Sequence, residues 1–412
     1  MTRTEADSGD PRIETGAAWD AFCRALEASK QIVLGEGVPS SPQLRAEGFR
    51  YLTRFLEAGI RTCIEYTDSD HPEFCRMIER GMTWGLDCPD CLYLYAPVRG
   101  DAEYRIRGTR GSANHLDLQV NYGHFAFGDI GKWGTISSLS GVDLELAADG
   151  SFEIALAAEA RPGNWLRLAP DAEFVLVRQY FDDWENERPG DLRIERLAGG
   201  GDERRDGGGA SAAPPRTDQM ADRLERLTLW LERGGALWEN MSRGLVTGSM
   251  NRLSVFKPPD EDARGGLAGQ AYGMGGFRCE PSQALVVSFV PPDCRHWSLS
   301  LASWYWESID YATRQSSLNR SQAKLDADGV FRGVIAHEDP GVPNWLDPGG
   351  HVQGTLAARF LEAEAAPSVE LETIAVADLR SRLPAETPHV SAAERDQQLA
   401  RRHRAVLRRY GR

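Results

Sequence analysis

A chain of 412 residues with a formal charge of -14 and a pI near 5.2 lacks the clustered cationic surface that sequence-independent nucleic-acid or anionic-membrane binding needs. Its 41% hydrophobic content suffices for the ordinary cores of two or three domains, and no window approaches the roughly 18 consecutive apolar residues of a membrane span. These features point to a small partner that is not strongly anionic, and exclude nucleic-acid and membrane partners. Met1–Thr15 is polar and acidic with no apolar leader core, so the expected location is cytoplasmic. Seven cysteines, an odd number, then read as reduced thiols. Cys88 and Cys91 form a CxxC, but no second close pair accompanies them, so neither zinc nor redox use is assigned.

Apolar spacing and capping make residues 1–90 mainly helical, with one stripe of Trp19, Phe22, Cys23 and Leu26 and another of Phe49, Leu52, Phe55 and Leu56. Asp70-His71-Pro72-Glu73 reads as a helix start capped by Asp70 rather than as a metal site with Asp68. From Tyr93 the period changes to two. Leu116, Leu118, Val120 and Tyr122 alternate with His115, Asp117, Gln119 and Asn121, which predicts a strand with one apolar and one polar face. Ser151–Ala160 and Glu173–Phe181 follow as strands around a Pro162-Gly163-Asn164 turn. The second is apolar on both faces, as a strand covered by two sheets would be. Residues 198–218 are rich in Gly, Pro and charge and read as a linker or surface loop. A helical pair, Met220–Arg233 and Ala236–Gly244, buries Leu224, Leu227, Leu231 and Trp238. Strands return at Ala284–Val290, Trp297–Trp306, Gly329–Ala336 and Val352–Leu361, and Ala392–Arg412 forms a basic helix, solvated or in an oligomer contact.

The chain also repeats itself. Asp149, Gly150, Phe152, Asn164, Trp165, Leu166 and Arg178 recur as Asp328, Gly329, Phe331, Asn344, Trp345, Leu346 and Arg359 at offsets of 179 to 181 residues. Solenoid repeats run roughly 20–50 residues, so this period marks a duplicated domain whose copies each have a core. The expected fold is α+β, mainly β: a helical region 1–90, an antiparallel β-sandwich at 91–197, the linker at 198–218, a helical pair at 219–256, a second sandwich at 257–386 and the basic helix at 387–412.

Asp87-Cys88-Pro89-Asp90 to Tyr93, then Tyr104-Arg105-Ile106-Arg107-Gly108, and the two Asn-Trp-Leu blocks each followed by an Arg, resemble the bacterial domain of unknown function 1214 family. In the second half, Trp297, Ser317 to Arg320, Asp328-Gly329 and Pro343-Asn344-Trp345-Leu346 to Arg359-Phe360 take up the likeness, which covers roughly residues 87–196 and 281–362. Cys88 and Cys91 stand where the family pattern favours Asn, and the second copy lacks the Tyr-Arg-Ile-Arg block. The resemblance implies jelly-roll-like sandwiches in a bacterial protein of catabolic context, and it implies no reaction.

His115 and Asp117, two apart on one strand, form the sharpest candidate pair, with Arg107 as a third catalytic candidate. If a bend after Tyr122 returned His124 to them, His115, Asp117 and His124 could hold a divalent metal. Arg178 shares a strand face with apolar residues and must be paired. Its recurrence favours an ion pair with an acid near each Asn-Trp turn, and the Asn-Trp residues themselves read as corner packing. Trp304, Trp306, Tyr311 and Arg314, with Tyr122, could bind a ring system, or the aromatic residues could simply fill a core. Neither a nucleophile elbow, a phosphate loop nor a dinucleotide fingerprint is present.

The expected function is therefore a nucleotide-independent enzyme of lyase or hydratase type, acting without a cofactor on an apolar aromatic or polycyclic small molecule. A non-catalytic carbohydrate- or hydrophobic-ligand-binding protein, and a metal-dependent oxygenase or hydrolase, remain open, as does a homo-oligomer.

Overall fold

Alternating apolar residues build the centre of each half of the chain. The computed structural model describes residues 9–129, 131–197, 216–257, 266, 267 and 269–411. In the first half the strands are β1 (Cys91–Pro97), β2 (Tyr104–Thr109), β3 (His115–Tyr122), β4 (Gly134–Ser140), β5 (Ser151–Ala157), β6 (Trp165–Arg167), β7 (Ala172–Tyr180) and β8 (Leu192–Arg196). They form two four-stranded sheets, β1-β7-β3-β4 and β6-β5-β2-β8. Leu116, Leu118, Val120, Val175 and Val177 of the first sheet share one core with Ile106, Phe152, Ile154, Leu156 and Ile194 of the second.

The second half supplies β9 (Arg252–Phe256), β10 (Gln270–Arg278), β11 (Gln283–Phe289), β12 (His296–Ala302), β13 (Ser317–Asn319), β14 (Phe331–Ile335), β15 (Trp345–Leu346), β16 (Gln353–Leu361) and β17 (Glu370–Ala375). Its sheets are β10-β16-β12-β13 and β15-β14-β11-β17, over a core of Leu285, Val287, Phe289, Leu299, Phe331, Leu356 and Phe360. The fold is thus mixed helix and sheet, mainly sheet, with four separate sheets and no barrel among the described residues.

Local chemistry recurs at matching places. Gly150 and Gly329 turn with φ of 78° and 79°, a conformation that excludes most side chains. Their partners Asp149 and Asp328 accept from the Ser151 and Val330 N–H groups. Asn164 accepts from Glu145 N–H at 2.8 Å and donates to the Glu145 and Glu153 carbonyls. Asn344 does the same with Lys324 at 2.8 Å and with the Lys324 and Arg332 carbonyls. The Trp165 and Trp345 indoles donate to the Ala157 and Ala336 carbonyls. These residues staple corners.

Tertiary context overrode several local expectations. Asp70 to Glu73 form no helix, because Asp68 accepts from the Asp70 N–H and binds the His71 ring, while Arg99 and Arg196 hold Asp70. On the helix Pro42–Ile60 the buried face runs through Tyr51, Phe55 and Ala58, whereas Phe49 is exposed, as are Trp19 and Leu26 on Ala17–Ala28. The expected helical pair is continuous from Thr217 to Gly248, a π-helical turn at Trp230–Gly234 carrying it past Gly234-Gly235. Its Trp230 indole donates to the Phe55 carbonyl. The linker expected at 198–218 lies outside the described residues as far as 215.

The strand at Trp297 stops at Ala302, so Trp304 and Trp306 occupy a turn and strand alternation does not apply to them. The basic helix Ala392–Arg409 is docked rather than solvated. Arg395, Arg402 and Arg409, seven apart, are buried, binding the Val342, Tyr311 and Pro89 carbonyls and lying over Trp345, Trp184 and Phe181. No helix among the described residues is long and apolar enough to cross a membrane.

Candidate functional site

The polar face of β3, which the alternation alone would leave in water, is covered. Antiparallel register sets Tyr93, Arg178 and Asp117 side by side across β1, β7 and β3, and Cys91, Tyr180 and His115 side by side two residues along. On the other half, Tyr272, Arg359 and Ser298 stand in a row across β10, β16 and β12, with Gln270, Leu361 and His296 in a second. The two faces meet. Tyr180 Oη lies 3.2 Å from Gln270 Oε1, the Tyr180 and His296 rings are 5.5 Å apart, and His115 Nδ1 is 3.8 Å from Glu362 Oε1. Asp117, Gln119, His115, Arg178, Arg359 and His296 are all buried.

Burial dominates the electrostatics of this layer. Asp117 Oδ2 makes no hydrogen bond among the described residues and lies 3.7 Å from Arg178 Nη1, which donates to Gln119 Oε1 at 2.5 Å. Desolvation pushes the Asp117 carboxyl up to about 7, with the Arg178 charge opposing it. Desolvation also holds the His115 imidazole down at about 4, against the pull of Glu362, so it is neutral at pH 7. A carboxyl that exchanges its proton near neutrality beside a neutral imidazole is the chemistry of general acid–base work. Cys88, raised to about 11 by burial, and Cys91, also raised by burial, stay protonated thiols beside it.

His296 mirrors His115. Its Nδ1 contacts Asp182, which follows β7 of the first half, while the acid facing His115, Glu362, follows β16 of the second. His296 Nε2 lies 3.7 Å from Asp90 Oδ2, and the other Asp90 oxygen accepts from the Trp184 indole at 2.8 Å and Asn319 Nδ2 at 2.7 Å. His115 and His296, Tyr93 and Tyr272, and Arg178 and Arg359 are separated by 181, 179 and 181 residues. The repeat therefore extends into this layer, and testing its offsets against every Tyr and His would have exposed the first two pairs. The partner expected for Arg178 was an acid near the Asn-Trp turn. It is instead Asp117 on the adjacent strand, and Arg359 has no acid within ion-pair distance among the described residues.

The remaining candidates do not converge on this layer. His124 is stacked on Phe127 at 3.7 Å within an aromatic cluster that includes Phe125 and Trp230, and its Nδ1 accepts from the Ala126 N–H. The bend after Tyr122 therefore does not return it to His115 and Asp117. Among the described residues no group of three His, Cys, Asp or Glu side chains is placed to hold a metal. Arg107 sits on the second sheet, half exposed and paired with Glu153 at 2.8 Å. Tyr122 lies at the far end of β3, with its hydroxyl end against Gly134.

The aromatic run is buried but dispersed. Trp304 lies in the helical core, where its carbonyl accepts from Ser242 Oγ. Trp306 lies beside Trp238 and Leu86, and the Tyr311 hydroxyl meets that of Tyr410 at 3.1 Å on the C-terminal helix. Arg314 is paired with Asp347 at 2.8 Å at the surface.

Comparison with known proteins agrees with this architecture. Residues 96–182 match the family model for Protein of unknown function (DUF1214), and the match does not extend to the second copy expected at 281–362. No curated protein matches the chain. The crystal structure of an uncharacterized protein from Burkholderia cenocepacia is similar at 32% identity and a TM-score of 0.81, over 89% of this chain and 99% of that one. The VPA0106 protein from Vibrio parahaemolyticus aligns over 84% of this chain and 100% of that one, at 12% identity and a TM-score of 0.45. At this identity over nearly the whole of the Burkholderia protein, the chain belongs to the same family as that protein, with the DUF1214 match at residues 96–182 of its first half.

Proposed function

We propose that the layer between the two sheet faces is an acid–base active site of lyase or hydratase type for a small organic molecule. Asp117 moves the proton, Arg178 balances its charge and His115 assists on the same face. The observation that carries this reading is the buried Asp117 Oδ2, without a hydrogen bond among the described residues and poised near neutrality. In elimination the Asp117 carboxylate takes a proton from carbon and hands it to the departing hydroxyl, which leaves as water as the C–O bond breaks and the C=C bond forms, restoring the carboxylate; hydration reverses this. The reaction needs a base, an acid and a dry site, with no cofactor. The tyrosines of the layer, Tyr93, Tyr180 and Tyr272, replace Trp304 and Trp306 as the surface for an aromatic substrate.

The two halves are, on this reading, tandem copies of one jelly-roll-like sandwich. The matching sheet orders, the paired Asn-Trp corners and the recurring Tyr, His and Arg of the layer support it. Duplication then places the site where the copies face each other.

The test follows a conjugated chromophore on mixing the protein with a panel of aromatic unsaturated acids and their hydrated counterparts. Wild type is expected to convert at least one pair, and Asp117→Asn to be slower by about 10²–10⁴-fold. Conversion of none, or equal rates for the variant, defeats the catalytic assignment. Ligand binding that Asp117→Asn leaves intact, with no turnover by either protein, favours a binding protein in which Asp117 only balances Arg178.

A further inference from the structure

Arg359 is a buried guanidinium without an acidic partner among the described residues. Its Nη2 donates to the Leu86 carbonyl, Nη1 meets no partner among the described residues, and the side chain is 6% exposed. The buried acid that acts on it through space, Asp87, faces elsewhere, accepting from the Ser308 N–H at 2.8 Å and Oγ at 2.7 Å. An unpaired charge in such a place is costly unless something of opposite sign joins it.

The neighbours of Arg359 on its sheet are donors. Ser298 stands beside it on β12, and its buried Oγ also meets no partner among the described residues. Tyr272 stands on the other side on β10, where its Oη accepts from the Leu267 N–H at 2.7 Å, leaving the phenol proton to donate. In the first half the place of Ser298 is taken by Asp117, which supplies Arg178 with its negative charge. The second half thus presents a cation and two hydroxyl donors in one row, and among the described residues it places no acid beside them.

We infer that Arg359, with Ser298 and Tyr272, binds the carboxylate of a small organic acid, which makes the substrate class of the proposed site an aromatic or other apolar carboxylic acid. The inference rests on that functional reading for the word substrate, while the anion site stands on its own geometry. A carboxylate is acceptor-only and planar, and matches the two-pronged face of one guanidinium. A single uncompensated cation suits a monoanion better than a phosphate dianion. The second face then holds the acid group while Asp117 on the first addresses the carbon chain.

Calorimetric titration of the full chain with benzoate, benzamide and inorganic phosphate tests this, alongside thermal melting. Benzoate is expected to bind at least about tenfold more tightly than its neutral isostere benzamide and to raise the melting temperature. Arg359→Met should erase the benzoate preference, and Arg359→Lys, which keeps the charge but loses the fork, should retain part of it. Equal binding of benzoate and benzamide, tighter binding of phosphate, or a benzoate preference surviving in folded Arg359→Met protein overturns the inference. Asp117→Asn separates the two proposals. It should keep benzoate affinity while losing turnover, so failure of the anion site and failure of the acid–base site give different patterns.

Discussion

Asp117 and Ser298 occupy matching places beside two matching buried arginines, and this one difference gives the two guanidinium groups different electrostatic surroundings. Arg178 shares its charge with a carboxylate and a glutamine of its own sheet. Arg359 has a serine in the same position, and its guanidinium donates to one backbone carbonyl, with no acid in reach among the described residues. A repeat that served only to hold the fold would be expected to solve the same electrostatic problem the same way twice. The outer sheets differ as well: β2 and β5 present exposed ion pairs such as Arg107–Glu153 at 2.8 Å, whereas Val286, Val334 and Trp345 on β11, β14 and β15 are covered by Leu379 and Leu383. The outer sheet of the second half is the more covered one, and that half holds the arginine with no acidic partner among the described residues.

The comparison is broken most directly by removing each arginine. Arg178→Met strands Asp117 without its partner and is expected to cost about 3–5 kcal/mol in urea denaturation, whereas Arg359→Met, which strands no acid, is expected to be neutral or stabilising. Equal losses would erase the distinction between the halves. Asp117 next sets the pH dependence. Its carboxyl holds a proton in the folded state up to about 7 but releases it near 3.8 when unfolded, so its contribution is fully present below about pH 4 and is lost as pH rises through 7. The loss is on the order of a few kcal/mol. His115 acts in the opposite sense, with its folded value near 4 against 6.5 unfolded, adding stability as pH rises across that interval. Stability curves of Asp117→Asn and His115→Gln against wild type from pH 4 to 8 should separate the two slopes; parallel curves would remove the perturbed groups.

The corners provide a milder contrast. Asn344→Ala, at a buried corner, is expected to cost about 2–3 kcal/mol and Asn164→Ala, at a half-buried one, about 1 kcal/mol by thermal melting. Smallest is the transplant Ser298→Asp, which copies the first half's solution into the second. It should lower benzoate affinity about tenfold without reducing thermal stability. Unchanged affinity would place the carboxylate elsewhere.

Much of the strand framework was legible. β3, β5, β7, β11, β14 and β16 lie within a few residues of where alternation and turn residues put them, because a period of two and an Asp-Gly or Pro-Gly-Asn turn are local signals. His115 and Asp117 were found together because residues two apart on a strand share a face. His124, Trp304 and Trp306 were misplaced because their positions depend on a bend and a turn: Trp306 takes a φ of 61°, which alternation cannot anticipate. The last helix read as solvated or in an oligomer contact because a long cationic side chain usually reaches water; here Trp184, Phe181 and three backbone carbonyls of the same chain hold its arginines.

By itself the sequence determined much of the strand framework, the corner residues and the recurrence of Tyr, His and Arg at offsets of 179 to 181 residues, since each depends on spacing along the chain. Only the tertiary structure decided that the polar faces of β3 and β12 are buried against one another. A polar strand face reads the same whether water or a second sheet covers it, and that covering desolvates Asp117 and buries Arg359 with no acidic partner among the described residues.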